Sequence, residues 1–315
     1  MLRPTDISSE KIGMNAPILI LGGRGTVGSA IAAAAGDRAL KAARAPTSGD
    51  MIAYDALIDD IEPIIGRLNP RPAAVVIAFG ISGTHTCASD RVGSRRLNVD
   101  RVLAVATAAA KCGALPVLFS TDSVFDGSPT YWSEQDMPRP TCEYGQQKAE
   151  VEQRISTLGI TSLIIRLSRV IADHAHRRDL LYQWCRRVQN DSPIMVPVDQ
   201  SFTPIAAGDV GRIALALIDS QATGLINVAG PEQIFAPVLF DILHRACDDL
   251  GIKQRMKIDY CRVADLPGIE QRPANTLLSI KRLQQTMAPR FTPLADSVKS
   301  VATAAFAAES APITS

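Results

Sequence analysis

The sequence predicts an α/β fold: a doubly wound parallel sheet, with a smaller C-terminal α/β domain after it. Three observations carry this. Residues 16–35, APILILGGRGTVGSAIAAAA, read as strand, glycine turn and helix. Further short apolar runs alternate with helical stretches, the pattern of a parallel sheet covered by helices on both faces. Beyond about residue 170 the alternation loosens, and prolines and arginines interrupt it.

Taken in order, Ile18-Leu-Ile-Leu21 is a continuous apolar run, as a strand buried on both faces requires. An alanine-rich helix follows, which Gly36 can stop. A second strand falls within 39–45, and 51–54 is strand-like. Further strands are expected at 73–79, 115–120, 162–166 and 224–228, with helices at 57–68, 99–111 and 146–158. Later helical runs lie at 180–189, 208–219 and 238–250. The stretch 296–315 begins as a helix and ends in a Ser/Pro/Thr tail.

Composition narrows the class. The chain has 315 residues, 46% apolar and 21% charged, which suits about two globular domains with a real core and excludes disorder for most of the length. Thirty-three Lys and Arg against 32 Asp and Glu leave a net charge of +1, without the basic excess of a nucleic-acid binder. Six cysteines without a CxxC pair form neither a zinc site nor a disulfide framework, so reduced thiols in a cytoplasmic protein are expected. The first 15 residues, a flexible N-terminal segment, hold no apolar signal core, and no run is long enough to span a membrane. No nucleic-acid or membrane partner is therefore expected, and composition says nothing about a small-molecule substrate. The oligomeric state stays open, a homodimer being one option.

The glycines carry the first chemistry. Gly22, Gly25 and Gly28 give G-x-x-G-x-x-G, and Gly23, Gly25 and Gly28 give G-x-G-x-x-G. Such a turn lets the backbone approach a pyrophosphate, and the helix after it offers free N–H groups and a positive dipole end. Its place between a strand and a helix is the Rossmann dinucleotide-binding context. Cofactor contacts are expected from Gly22, Arg24, Gly25, Thr26, Val27 and Gly28. An NAD site carries an acid ~20 residues past the loop, on the ribose hydroxyl. The segment ALKAARA at 39–45 has none, but it holds Lys41 and Arg44. A guanidinium suits a 2′-phosphate, so NADP(H) is expected, with NAD(H) as the alternative. Asp55 can accept a hydrogen bond from the adenine amino group.

Tyr144-Gly-Gln-Gln-Lys148 puts a phenol and an ammonium four residues apart at a helix start, on one face. An ammonium stabilises a phenolate and lowers its pKa, and it can also hold the nicotinamide ribose. Phe119-Ser-Thr-Asp-Ser-Val-Phe-Asp-Gly127 follows a buried strand, where parallel sheets place their chemistry. Thr121 can donate to a substrate carbonyl as charge develops on it. His174 and His176 form an HxH pair without a third ligand, so no metal is expected. Arg166, Arg169, Arg177 and Arg178 lie around them, open to a substrate diphosphate or to solvent.

On these motifs the chain resembles the extended short-chain dehydrogenases/reductases. Within them it is most similar to the dTDP-4-dehydrorhamnose reductase type of sugar-nucleotide reductase. The family's STDYVFDG box resembles residues 120–127, and its run of Tyr, Glu, Asp and prolines ending in YGxxK resembles 131–148, with Glu134, Asp136, Pro138 and Pro140 close to place. Its helix Asn corresponds to Asn98, its DQxxxPT segment to Asp199–Pro204, and its late RPxN motif to Arg272-Pro-Ala-Asn275. The likeness spans roughly residues 16–295. Three positions depart from it. Ser123 replaces the box tyrosine, Arg169 stands where an aromatic follows the sixth strand, and Ala78-Phe79-Gly80 replaces an NAA segment.

The resemblance implies a carbohydrate-biosynthesis oxidoreductase, an NADPH-dependent reductase of a carbonyl on a nucleotide-activated ketosugar. Tyr144 would give the proton, Lys148 would tune Tyr144 and orient the ribose, and Thr121 would polarise the carbonyl. Asp122, Ser123, Arg169 and Arg272 would meet the substrate. Residues 16–170, completed by about 201–230, would be the NADP-binding Rossmann domain, and 171–200 with 231–295 the substrate-binding domain. Two alternatives stand beside this: a nucleotide-sugar epimerase of the same superfamily, and a non-catalytic NADP-binding regulatory subunit like that of methionine adenosyltransferase. A dehydratase is disfavoured, because Ser123 stands where those enzymes carry an acid next to Asp122.

Overall fold

The computed structural model describes residues 16–172, 179–253 and 256–307. The first strand, β1 (Ile18–Leu21), is buried along its length, with Ile18 and Ile20 in the core on one face and Leu19 and Leu21 in the core on the other. It leads into α1 (Thr26–Ala35), which stops at Gly36 with φ of 56°. Then come β2 (Ala39–Ala43), β3 (Ile52–Ala53), α2 (Glu62–Arg67), β4 (Ala74–Ile77) and α3 (Thr84–Ser89). Helices α4 (Arg91–Arg95) and α5 (Val102–Lys111) are joined by a wide π turn at Arg96–Arg101. Next are β5 (Leu115–Thr121), β6 (Tyr131–Trp132), α6 (Glu143–Thr157), β7 (Leu163–Leu167) and β8 (Val170–Ile171).

Two helices depart from the expected lengths. The one expected at 57–68 starts only at Glu62, because Asp55 closes a turn first. Its carboxylate accepts the Leu57 amide at 3.0 Å and its carbonyl accepts the Ile58 amide at 3.1 Å. Pro63 then presets the first helical turn. The helix expected at 99–111 reaches back to Arg91, where Asp90 caps it by accepting the Gly93 amide at 2.8 Å.

The second half holds α7 (Leu180–Gln189), β9 (Ile194–Pro197), β10 (Ser201–Phe202), β11 (Ile205–Ala206), α8 (Ala207–Asp219), β12 (Gly224–Val228) and β13 (Ile234–Phe235). It closes with α9 (Ala236–Asp249), β14 (Ile258–Cys261), β15 (Asn275–Leu278), α10 (Lys281–Thr286) and α11 (Leu294–Ala307). Seven strands make one parallel sheet in the order β12-β7-β5-β4-β1-β2-β3. The chain winds outward in both directions from β1, so the fold is the expected doubly wound one and its switch point lies between β1 and β4.

One face of the sheet packs under α1 and α8, through Ile31, Ile213 and Leu217, and the other under α2, α5 and α6, through Ile65, Val105 and Val151. A third core joins α7, α9 and α11, where Trp184 and Phe240 meet edge to face at 5.7 Å. A small sheet, β13-β10-β15-β6, ties the halves together. Its β6 comes from the first half and pairs with β15 through Leu277 opposite Tyr131 and Leu278 opposite Trp132. That pairing hangs the C-terminal segments over the carboxyl end of β5.

Candidate active site

The glycine loop is fastened from below. The Gly22 and Gly23 amides both donate to the Ala42 carbonyl of β2, at 3.0 and 3.1 Å. Gly22 has φ of 88°, and a Cβ there would lie 2.7 Å from the Ala78 carbonyl oxygen, so only glycine fits. Helix α1 opens behind Gly25, which offers no side-chain cap, and no acid stands in its first turn. The first-turn amides of Thr26, Val27 and Gly28 therefore lack a helical acceptor, and nothing local neutralises the dipole end. A pyrophosphate fits that donor set, so the cradle suits a dinucleotide.

The turn after β2 is basic. Arg24 Nη1 donates to the Ala45 carbonyl at 2.8 Å, which holds its guanidinium at this turn, and Arg44 is exposed on it. Lys41 is engaged by Asp50 at 3.3 Å. Asp55 is half-buried at the end of β3, in the turn described above.

At the carboxyl end of β5, Lys148 Nζ donates to the Phe119 carbonyl at 3.0 Å and lies 6.0 Å from the Tyr144 ring centroid. Both side chains stand on one face of α6. Burial pushes the Lys148 ammonium down to about 8. Spacing suggests that this ammonium lowers the phenol's pKa, but burial sets the net direction. Burial first, and the Asp122 carboxyl second, push Tyr144 well above the usual phenol value, while Thr121 pulls weakly the other way. The phenol is thus held protonated. Thr121 Oγ1 accepts the Ser123 amide at 3.2 Å and stands 3.1 Å from Asp122 Oδ1.

Several residues lock this geometry, and the motifs did not name all of them. The Ser123 carbonyl rests so close to Gly145 that any side chain there would collide, which explains the glycine after Tyr144. Asn98, fully buried, donates to the Ile81 carbonyl and to Gln147 Oε1, both at 2.8 Å, and Gln147 donates to Ser94 Oγ at 2.8 Å. Arg166, only 1% exposed, forms a two-pronged pair with Glu152 of α6, at 2.8 and 2.6 Å. Its guanidinium also lies 5.0 Å from the Phe125 ring centroid, and Phe125 stacks on Trp132 at 4.6 Å. An arginine inside the apolar run of β7 was the legible signal. Glu134 accepts the Asn227 amide at 2.8 Å, Asp136 accepts the Ser133 amide at 2.6 Å and Asp199 accepts the Val263 amide at 2.8 Å, so these motif acids shape the frame.

The four expected substrate residues come together. Asp122 is buried, and burial raises its carboxyl pKa, while Arg169 and the hydroxyls of Thr276, Thr121 and Ser168 oppose the rise. Arg169 lies 5.4 Å from the Phe202 ring centroid. Arg272 feels burial first and then the like charge of Arg169, both of which lower its pKa. Its segment is pinned where Asn275 Nδ2 donates to the Gly127 carbonyl at 3.0 Å. Glu270, missed in the sequence, accepts the Glu143 amide of α6 at 2.9 Å. His174, His176, Arg177 and Arg178 lie outside the described residues. Among the described residues no group of three or more His, Cys, Asp or Glu is placed to hold a metal, and no helix is long and apolar enough to cross a membrane.

Known proteins are similar to this chain in sequence and in fold. A dTDP-4-dehydrorhamnose reductase of Aggregatibacter actinomycetemcomitans is 24% identical over 228 residues, 68% of this chain and 75% of that protein. The beta subunit of methionine adenosyltransferase 2 from Bos taurus is 25% identical over 217 residues, 65% of this chain and 62% of that protein. The crystal structure of a dTDP-4-dehydrorhamnose reductase from Bacillus anthracis in complex with NADP superposes with a TM-score of 0.74 at 18% identity, covering 90% of this chain and 97% of that one. The model of the family described as RmlD substrate binding domain matches residues 14–306, nearly the whole described chain, and the chain belongs to that family.

Proposed function

We propose that this chain is an NADPH-dependent reductase acting on a carbonyl of a nucleotide-activated ketosugar. The observation that carries the reading is the meeting of Thr121, Tyr144 and Lys148 at the carboxyl end of β5, with only β4 between β5 and the glycine loop of β1. Gly22, Arg24, Gly25, Thr26, Val27 and Gly28 would hold the pyrophosphate, Arg44 the 2′-phosphate and Asp55 the adenine. Lys148 and Tyr144 would hold the nicotinamide ribose. NADP(H), when bound, supplies the hydride.

The chain's own residues handle the proton. Tyr144, kept protonated by burial, gives its Oη proton to the carbonyl oxygen. Thr121 donates a hydrogen bond to the same oxygen as its charge grows. Lys148 carries the positive charge that steadies the phenolate once the proton has left. Asp122, Ser123, Arg169 and Arg272 line the sugar side. All six cysteines are free thiols, which supports a reducing, cytoplasmic setting.

A second reading, a non-catalytic regulatory subunit, has the bovine similarity behind it. The intact Thr121, Tyr144 and Lys148 set counts against it. The deciding experiment offers a panel of nucleotide ketosugars to the protein and follows the loss of NADPH absorbance. Turnover is expected with NADPH, and Tyr144→Phe should lower it by ~10²–10⁴, the range of general acid catalysis, with NADP affinity kept. NADP binding without turnover on any ketosugar would overturn the reductase reading and leave the regulatory one.

A further inference from the structure

We propose that Arg169 reads a carboxylate on the sugar, so that the preferred substrate is a nucleotide-linked keto-uronic acid. This rests on the nucleotide-ketosugar reading above and adds the class of sugar. The inference starts from where Arg169 stands. Leu167 pairs with Thr121 across β7 and β5, so Arg169, two residues on, leaves the sheet level with the Thr121–Ser123 turn. Its carbonyl accepts the Ile205 amide at 2.9 Å, and its guanidinium rests 5.4 Å from the ring centroid of buried Phe202. It is half-buried and braced on both sides.

Asp173, one of two acids near Arg169 in sequence, lies outside the described residues. Among the described residues Arg169 forms no ion pair, unlike Arg166 of β7. Asp179, an acid near in sequence, is spent on its own helix, accepting the Tyr182 amide at 3.0 Å and the Ala172 amide at 3.2 Å. Asp122 is the acid whose field Arg169 feels. Its carboxyl already takes the Thr121 and Ser123 hydroxyls, at 3.1 and 3.3 Å. Burial also holds Asp122 toward its neutral form. Arg272 brings a second positive charge against the first. Arg169 thus has one reluctant carboxyl and one like charge as its charged neighbours, and a half-buried cation left this way is costly until an anion arrives.

The strand register says which anion. Thr121 lies opposite Leu167, so Arg169 stands beside the Thr121–Ser123 turn at the carboxyl end of β5, whereas Arg272 donates to the Pro267 carbonyl at 3.4 Å. A sugar with its carbonyl at Tyr144 would therefore meet Arg169 through a ring substituent. The flat, two-pronged guanidinium matches a carboxylate.

The test titrates the NADP-saturated protein calorimetrically with UDP-glucose, dTDP-glucose and UDP-glucuronate. UDP-glucuronate should bind at least about tenfold more tightly than either neutral sugar, as a hydrogen-bonded charge pair gives. Arg169→Gln should bring UDP-glucose and UDP-glucuronate within about twofold by weakening the uronate alone, and Arg169→Lys should keep part of the preference. Melting curves of both variants check the fold, and the wild-type ratio needs no variant. Equal wild-type affinities, or a preference that survives in Arg169→Gln, would overturn the assignment of Arg169 alone. If no nucleotide sugar binds, the ketosugar reading falls with it.

Discussion

At the residue scale, Lys148 is held against its own chemistry. Its ammonium is buried, and its pKa drops from 10.5 to about 8. Between those values the unfolded chain holds a proton that the folded chain does not, so the wild type gains stability as pH rises from about 8 toward 10.5. Below about 8 the penalty is fully present. It amounts to about 3 kcal/mol, at ~1.4 kcal/mol per pK unit, against ~1 kcal/mol for the lost hydrogen bond to Phe119. Lys148→Met should therefore melt higher than the wild type at neutral pH, with a gap that closes above pH 10, while turnover collapses. Thermal melts across that pH range check it, and a gap that widens with pH would show that Lys148 is not the strained group. Arg44 permits a second residue-scale prediction. Arg44→Ala should cost about 1.5–3 kcal/mol of NADP affinity, the worth of a charged hydrogen bond, and spare NAD. Calorimetry with both cofactors reads this directly, and equal losses would remove Arg44 from the 2′-phosphate.

Among the elements, α6 carries Tyr144 and Lys148, and the Glu152–Arg166 pair bolts it to β7. A buried pair broken on one side leaves an uncompensated charge, so Glu152→Ala should lower stability by ~3–5 kcal/mol in urea unfolding. Turnover should fall as well, because Lys148 sits one turn earlier on the same helix. The double variant Glu152→Leu with Arg166→Met should recover most of the stability, since a packed apolar pair can replace a buried ionic one. Recovery no better than the single variant would assign the cost to lost packing around Phe125. This pair also marks where the sequence stopped being legible. The glycine loop and the apolar strands β1, β5 and β7 could be read because their patterns are local. Arg166 showed as an oddity in an apolar run, but its partner sits 14 positions away on a different element. The Thr121, Tyr144 and Lys148 set was legible from its motifs, yet the direction of the phenol's pKa was not. Burial decides that, and spacing does not report burial.

Across the whole molecule, the segment carrying Arg272 and helix α6 belong to distant parts of the chain, and Glu270 joins them over 127 positions. Helix α6 starts behind Cys142, which gives no side-chain cap. The Glu270 carboxylate does that work from outside, taking the Glu143 amide at 2.9 Å where a negative charge also suits the helix dipole. Arg91 backs it, 3.3 Å from Glu270 and 3.5 Å from Glu143. Arg272 follows two residues later, so the contact that caps α6 also holds the segment that carries this arginine. Glu270→Ala should release the segment 266–274 while leaving the glycine loop untouched. The expected result is a KM for the nucleotide sugar raised about tenfold, a binding loss of ~1.4 kcal/mol. NADP affinity should be unchanged and stability lower by ~0.5–2 kcal/mol, the worth of a cap. Glu270→Gln can still accept the Glu143 amide and should keep most of the wild-type KM, although it loses the charge opposite Arg91. Steady-state kinetics with calorimetric NADP titration separates the cases. A KM that stays put in Glu270→Ala, or NADP affinity that falls in step with it, would make the contact a plain helix cap and free Arg272 from its control.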